Sequence, residues 1–302
     1  MSTGLDRAAR ELVDPQLFAA LEDLELIART AVEGFLQGLH RSPYVGFSVE
    51  FASHREYLPG DDLRHLNWKL YGRQDKLYVK QYDAETNLDL HLLVDWSGSM
   101  NTRSGRLSKQ RYAACLAAAL AHLALKQRDA VGLTLFAGGV LDHLRPRAKA
   151  SQLDELLHAL TRTPLRPRAE SVRVLHEIAE LMPRRGLVVL VSDLFYDSHE
   201  LFAGLDHFRF AGHDVLLLQV LDPLERNLPL AGAIRFHDLE TGEELVTQAQ
   251  DIRPAYEAAI RDWFGELEQG CLTREIERVA LTTDEPLAQA LYAYLAQRAQ
   301  HG

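Results

Sequence analysis

The apolar residues of this chain keep two different rhythms, and the changes between them mark out the elements. Over residues 15–39 they recur at helical spacing, with Leu17, Leu21, Leu24, Ile27 and Ala28 on one face. Over 45–85 the rhythm breaks into short strands and turns. The run over 88–95 is almost continuously apolar, as a strand buried on both faces should be. A long helix over 107–127 comes next, then a buried strand over 130–137 and a turn at Gly138-Gly139 into a strand over 140–144. Helices over 150–160 and 171–182 lead to a strand that starts near Gly186 and stops at Asp193. A helix over 198–210 and a strand over 213–221 complete the regular part. Such alternation predicts an α/β fold, a mostly parallel sheet flanked by helices.

Beyond Asp222-Pro223 the pattern loosens. Residues 234–236 and 245–247 read as a hairpin around Thr241-Gly242, and helices are expected over 256–271 and 286–299. Three regions follow. Residues 1–86 hold a helix and a small β-rich block, and 87–225 form the α/β domain. Residues 226–302 contribute a hairpin and helices that pack on that domain or complete it.

Candidate chemistry lies where two of the predicted strands end. The first runs into Asp95-Trp96-Ser97-Gly98-Ser99, the second into Ser192-Asp193-Leu194. Open parallel sheets place ligands at the carboxyl ends of their strands. One carboxylate and two small hydroxyls on such a loop form an all-oxygen set of the kind hard cations prefer. The same residues also suit a turn whose side chains bond nearby backbone amides. Two buried carboxylates, Asp95 and Asp193, over one sheet edge would repel and raise each other's pKa, and a divalent cation relieves that.

Asp95-Trp96-Ser97-Gly98-Ser99 resembles the Asp-x-Ser-x-Ser motif of von Willebrand factor A domains, whose metal-ion-dependent adhesion site binds magnesium, and Asp193 matches the later aspartate of that site. The resemblance implies a metal site of Asp95, Ser97, Ser99 and Asp193 holding Mg2+, for which Mn2+ could substitute. It also implies that the serines ligate directly, the aspartates act largely through water, and a partner's carboxylate completes the shell. The family's usual threonine between the two motifs is absent. Arg168-Ala169-Glu170-Ser171-Val172 stands there instead, with Ser171 and Glu170 as its oxygen side chains, and Thr161 and Thr163 lie earlier.

The preceding block carries a more specific likeness. Arg55, Tyr57, Pro59, Gly60, Asp61, Asp62, Arg64, Asn67 and Trp68 fall in a Tyr-x-Pro-Gly-Asp-Asp-x-Arg-x-x-Asn-Trp pattern that resembles the bacterial DUF58 family, in which such a block is fused to a von Willebrand A-like domain. Members accompany MoxR-type AAA+ ATPases. The resemblance therefore implies a partner role with such an ATPase or its client, in a chaperone-like or metal-insertion system. Read from its own residues, Pro59-Gly60 is a turn, and an Asp–Arg pair shielded by Trp68 would gain from arginine's bidentate geometry. These residues serve equally as a staple to the sheet or as a docking surface.

Composition narrows the choice of function. A formal charge of −10 argues against a general nucleic-acid binder. No apolar stretch reaches the roughly twenty residues a membrane span needs, and no signal peptide is evident, so the cytoplasm is the expected location. Cys115 and Cys271, each in a helical pattern, read as reduced, partly buried thiols. Enzyme signatures are missing. Ser97 stands where a haloacid dehalogenase needs its second aspartate, neither Ser97 nor Ser192 lies in a Gly-x-Ser-x-Gly frame, and no phosphate-binding glycine loop appears. The histidines show no zinc spacing, and His91, inside the first strand, reads as structurally satisfied. The expectation is a non-catalytic interaction module. The alternative is a metal-dependent phosphohydrolase using Asp95 and Asp193.

Overall fold

A computed structural model of the chain describes residues 23–41, 54–56, 78–80, 88–167 and 173–300. The first helix, α1 (Leu24–Arg41), turns Leu24, Ile27, Ala28, Ala31, Val32 and Phe35 inward, as its spacing predicts. Two short antiparallel strands follow, β1 (His54–Glu56) and β2 (Tyr78–Lys80), with Arg55 opposite Val79. The family-motif residues Tyr57, Pro59, Gly60, Asp61, Asp62, Arg64, Asn67 and Trp68 lie outside the described residues, as do Leu17 and Leu21.

The core is a six-stranded sheet with strand order β10-β7-β6-β3-β4-β5. Its first strands are β3 (Asp89–Asp95), β4 (Ala130–Phe136) and β5 (Val140–Arg147). They are followed by β6 (Leu187–Ser192), β7 (Asp214–Leu221) and β10 (Glu277–Thr282). All neighbours pair in parallel except β5, which runs antiparallel along the β4 edge. The central strands are apolar without a break because both their faces are covered. The period of two divides their side chains: Leu90, Leu92, Val94, Val189 and Val191 join one core, and Leu93, Val188 and Leu190 the other.

On the first face lies α2 (Lys109–Lys126), with α1 packed across it. Its alanine-rich stretch from Ala113 to Ala124 is buried except for His122, and small side chains allow α1 and the sheet to close on opposite sides of it. Ser108 caps the helix by accepting the Arg111 N–H. Also on this face are α3 (Ser151–Arg162) and the last helix, α8 (Ala288–Gln300), whose Tyr294 is fully buried. The second face is covered by α4 (Arg173–Glu180), α5 (Ser198–Phe210) and α7 (Ala249–Thr273). Cys115 and Cys271 are free, buried thiols in helices. Among the described residues no helix is long and apolar enough to cross a membrane.

Three features depart from the sequence reading. Strand β10, which adds to the sheet beside β7, was not expected; Glu277 and Arg278 open it and disguise it as a loop. Helix α7 begins at Ala249 and not near Tyr256, and carries Pro254 as its sixth residue, where the missing N–H costs one backbone bond, to the Gln250 carbonyl. Arg253 anchors that end by donating to the Leu228 and Leu230 carbonyls. Third, His91 is not satisfied: its Nε2 is buried without a hydrogen-bond partner, and its ring meets His213 edge-on at 5.6 Å.

Candidate functional site

Strands β3, β4 and β5 run to one side of the sheet in chain order, and β6, β7 and β10 to the other. The order therefore reverses between β3 and β6, the position where such sheets open a crevice for ligands. Asp95 ends β3, and Asp193 directly follows β6. The structure thus brings both predicted aspartates and both predicted serines to one edge.

Each aspartate has partners of its own. Asp95 is fully buried; its Oδ1 accepts the Ser97 N–H at 3.0 Å, and its Oδ2 accepts the Ser192 hydroxyl at 2.6 Å and the Tyr196 hydroxyl at 2.7 Å. Those bonds lock the motif loop to the loop after β6. Asp193 Oδ2 accepts the Ser99 hydroxyl at 2.7 Å and the Lys109 ammonium at 2.9 Å, and its Oδ1 accepts the Phe195 N–H at 3.2 Å. Leu194, which follows, is held at a φ of +62°. A bulky residue rarely adopts that conformation, which costs of order 1–3 kcal/mol. Full burial of Leu194 and the bond from its N–H to Ser192 Oγ hold it there, so the turn keeps Asp193 aimed at Ser99.

Lys109, the first residue of α2, has no exposed side-chain surface. Its ammonium also meets Glu225 Oε1 at 2.6 Å. Burial alone would lower its pKa, but the charges of Asp193 and Glu225 outweigh burial and hold the amine above its ordinary value. Burial lifts the Glu225 carboxyl, and the charge and hydrogen bond of Lys109 oppose that lift. Glu225 lies in α6 (Pro223–Asn227), where it closes a capping box with Asp222. Asp222 in turn accepts the Ser104 N–H at 2.7 Å, drawing the loop before α2 toward the same edge.

The unexpected member is Glu240. It sits at the tip of a hairpin formed by β8 (Ala233–His237) and β9 (Glu244–Gln248), and its Oε1 accepts the Ser99 N–H at 2.6 Å. A side chain on Gly98 would come within 2.5 Å of the Leu239 carbonyl oxygen and 3.1 Å of Glu240 Oε2. The glycine of the motif is therefore what lets the tip settle on the loop. On the other flank Trp96 is fully buried; its indole donates to the Thr163 carbonyl at 2.8 Å, and its carbonyl accepts the Arg166 N–H at 3.1 Å. Arg166 thus runs alongside Ser97, while residues 168–172, which stand where the third motif is expected, lie outside the described residues.

Each of the two carboxylates has a polar partner within the protein: the Lys109 ammonium lies against Asp193, and the Ser192 and Tyr196 hydroxyls hold Asp95. Among the described residues no three histidines, cysteines, aspartates or glutamates gather as a metal-ligand cluster. A smaller oxygen set does have suitable spacing. Ser97 Oγ and Ser99 Oγ are 3.2 Å apart, and Ser99 Oγ and Asp193 Oδ2 are 2.7 Å apart. Adjacent oxygens on an octahedral Mg2+ with bonds of about 2.1 Å lie about 3.0 Å apart. The two measured spacings lie on either side of that value, whereas Asp95 serves the scaffold. Lys109, Ser192, Tyr196, Glu225 and Glu240 escaped the sequence reading. Only Glu225 left a local signal, the helix start Asp222-Pro223-Leu224-Glu225.

An α/β domain with an aspartate–serine loop at its carboxyl edge is the architecture implied by the likeness to von Willebrand factor A domains. Residues 53–263 match the family model "Protein of unknown function DUF58", and the chain belongs to that family. Relatives include uncharacterized protein Rv1480 of Mycobacterium tuberculosis and uncharacterized protein Mb1516 of Mycobacterium bovis. Each is 29% identical over 257 residues, covering 84% of this chain and 78% of the relative. Among solved structures, BatB from Bacteroides thetaiotaomicron overlaps 71% of this chain and 98% of its own, with a TM-score of 0.45 at 14% identity. An aerotolerance-related membrane protein from Bacteroides fragilis gives 0.46 at 17% identity over 70% of this chain and 99% of its own. The SpRpn10 VWA domain gives 0.38 at 12% identity over 72% and 97%. None of these three overlaps carries functional information about this chain.

Proposed function

We propose that this chain is a non-catalytic protein-interaction module whose loop face receives an acidic side chain of a partner. The observation that carries the reading is the carboxylate of Glu240, seated on the Ser99 N–H of the motif loop. The Ser99 N–H thus already receives a carboxylate at this loop, and hydrogen bonds to an ionised acceptor are among the stronger ones. Mg2+ would be held by Ser97, Ser99 and Asp193 and would supply positive charge to bridge the incoming carboxylate. Asp95 would keep the motif loop in shape. By the family resemblance, the partner is a MoxR-type AAA+ ATPase or its client.

Thermal unfolding with Mg2+, Mn2+ or chelator, on wild type and a Ser97→Ala/Ser99→Ala double variant, tests the metal. A cation at about a hundred times its dissociation constant should add roughly 2.7 kcal/mol of stability to wild type only. Capture of the purified ATPase by wild type and not by the double variant tests the binding face. Equal capture by both proteins would remove the loop face from the interaction.

A further inference from the structure

The Glu240 contact has a second side. Among the described residues the β8–β9 hairpin pairs only with itself, as a two-stranded sheet apart from the core. Leu245 and Val246 on β9 are 58% and 65% exposed, and Ala233, Arg235 and His237 on β8 are also exposed. A lone two-stranded hairpin is marginal in water, so burial of its own strands cannot be what holds it down. Its base is closed by the Ala249 N–H donating to the Gly232 carbonyl at 3.0 Å. At the far end the tip is shaped by Asp238, which accepts the Glu240 and Thr241 N–H groups at 2.7 and 3.1 Å, and by Gly242 at a φ of +77°. That turn aims Glu240 at Ser99 and lays the Leu239 carbonyl over Gly98. Among the described residues, the tip meets the loop face through the Glu240 carboxylate and the close approach of the Leu239 carbonyl to Gly98.

We infer that the β8–β9 hairpin is an internal occupant of the loop face, so that Glu240 competes with the acidic side chain of a partner and must leave before the partner docks. The inference rests on the reading of the loop face as a carboxylate receiver. It also specifies the partner's chemistry: a single acidic residue at the tip of a tight turn, because that is the shape the face already accommodates. A tethered competitor acts at an effective concentration on the order of millimolar, which weakens an external ligand by the ratio of that concentration to the tip's own dissociation constant. Tip and ligand cannot share the Ser99 N–H, so removing the Glu240 carboxylate opens the face.

The test uses the full chain and a fluorescent, backbone-cyclised peptide of residues 236–245, with its affinity measured by anisotropy in Mg2+ and in chelator. Wild type and Glu240→Ala are compared, and a second peptide carries Glu240→Gln. The expected result is binding about tenfold or more tighter to the Glu240→Ala protein than to wild type, with the Gln peptide bound by neither. Equal affinity of both proteins for the acidic peptide overturns the internal occupancy and leaves the carboxylate reading standing. No binding by either protein, or equal binding of the acidic and Gln peptides, overturns the carboxylate reading and the occupancy with it. Circular dichroism of the variant, which alters only the tip, confirms that the fold is unchanged.

Discussion

Lys109→Met removes a positive charge that has no exposed surface and lies 2.9 Å from one carboxylate and 2.6 Å from another. At those separations, with an effective dielectric of about 20, each attraction is worth about 6 kcal/mol before the cost of burying the ions is counted. Desolvation cancels most of that in wild type. Removal of one partner, however, leaves the others buried without their counter-charge, a loss of about 3–5 kcal/mol. That is a large share of the roughly 5–15 kcal/mol by which a domain is stable. The loss depends on pH with a definite sign. Once the ammonium is gone, Asp193 and Glu225 face each other in the interior, and protonation of one of them relieves the strain. A carboxyl whose folded pKa lies above its unfolded pKa binds more protons in the folded state, so stability rises as pH falls. Urea denaturation of wild type and variant at about pH 8 and about pH 5 should therefore show a deficit of about 3–5 kcal/mol that shrinks in acid. A deficit below about 1 kcal/mol at the higher pH, or one that grows in acid, refutes the assignment of Lys109 as the internal counter-charge.

Two further outcomes are expected. Burial, together with His213 and His143, pushes the His91 pKa from 6.5 down to about 4. The unfolded chain then binds the proton more readily, so His91 destabilises the fold as pH falls from 6.5. The loss is about 2.5 kcal/mol by about pH 4.5. His91→Leu should lose correspondingly less between neutral and that pH in urea titrations, and parallel profiles would refute the shift. Gly98→Ala would place a methyl group 2.5 Å from the Leu239 carbonyl. Hydrogen exchange should then speed up in the amides of residues 239–242 while the sheet stays protected, and unchanged exchange would mean that the tip does not depend on Gly98.

The sheet was legible in the sequence because strands covered on both faces are written as unbroken apolar runs, and β3 and β6 are such runs. Helix α5 was expected over 198–210 and occupies Ser198–Phe210, bounded by Asp197 at its cap and the turn before β7. What was not legible depends on distance along the chain. Lys109 is 84 residues from Asp193 and 116 from Glu225, and Ser99 is 141 from Glu240. No local pattern tells a lysine at a helix start that two carboxylates await it. The sequence could place the acids and hydroxyls at one edge because strand ends dictate that, but not say which donor each would meet. Strand β10 was hidden by its charges, which an edge strand tolerates, and the early start of α7 by Pro254, which costs the helix a backbone bond in its second turn without ending it.

The hairpin leaves and rejoins the domain at adjacent points, Gly232 and Ala249. An excursion closed in this way can change length or sequence with little effect on what lies beneath it, since loop-closure entropy grows slowly with length. The sheet, its buried lysine and the motif loop are bound together by many mutual constraints, whereas the excursion answers to few. With the tip as the competing occupant, the ease with which the face opens can be reset by rewriting about ten surface residues. Exchanging the tip between relatives would then change how readily a partner gains the face without rebuilding the core.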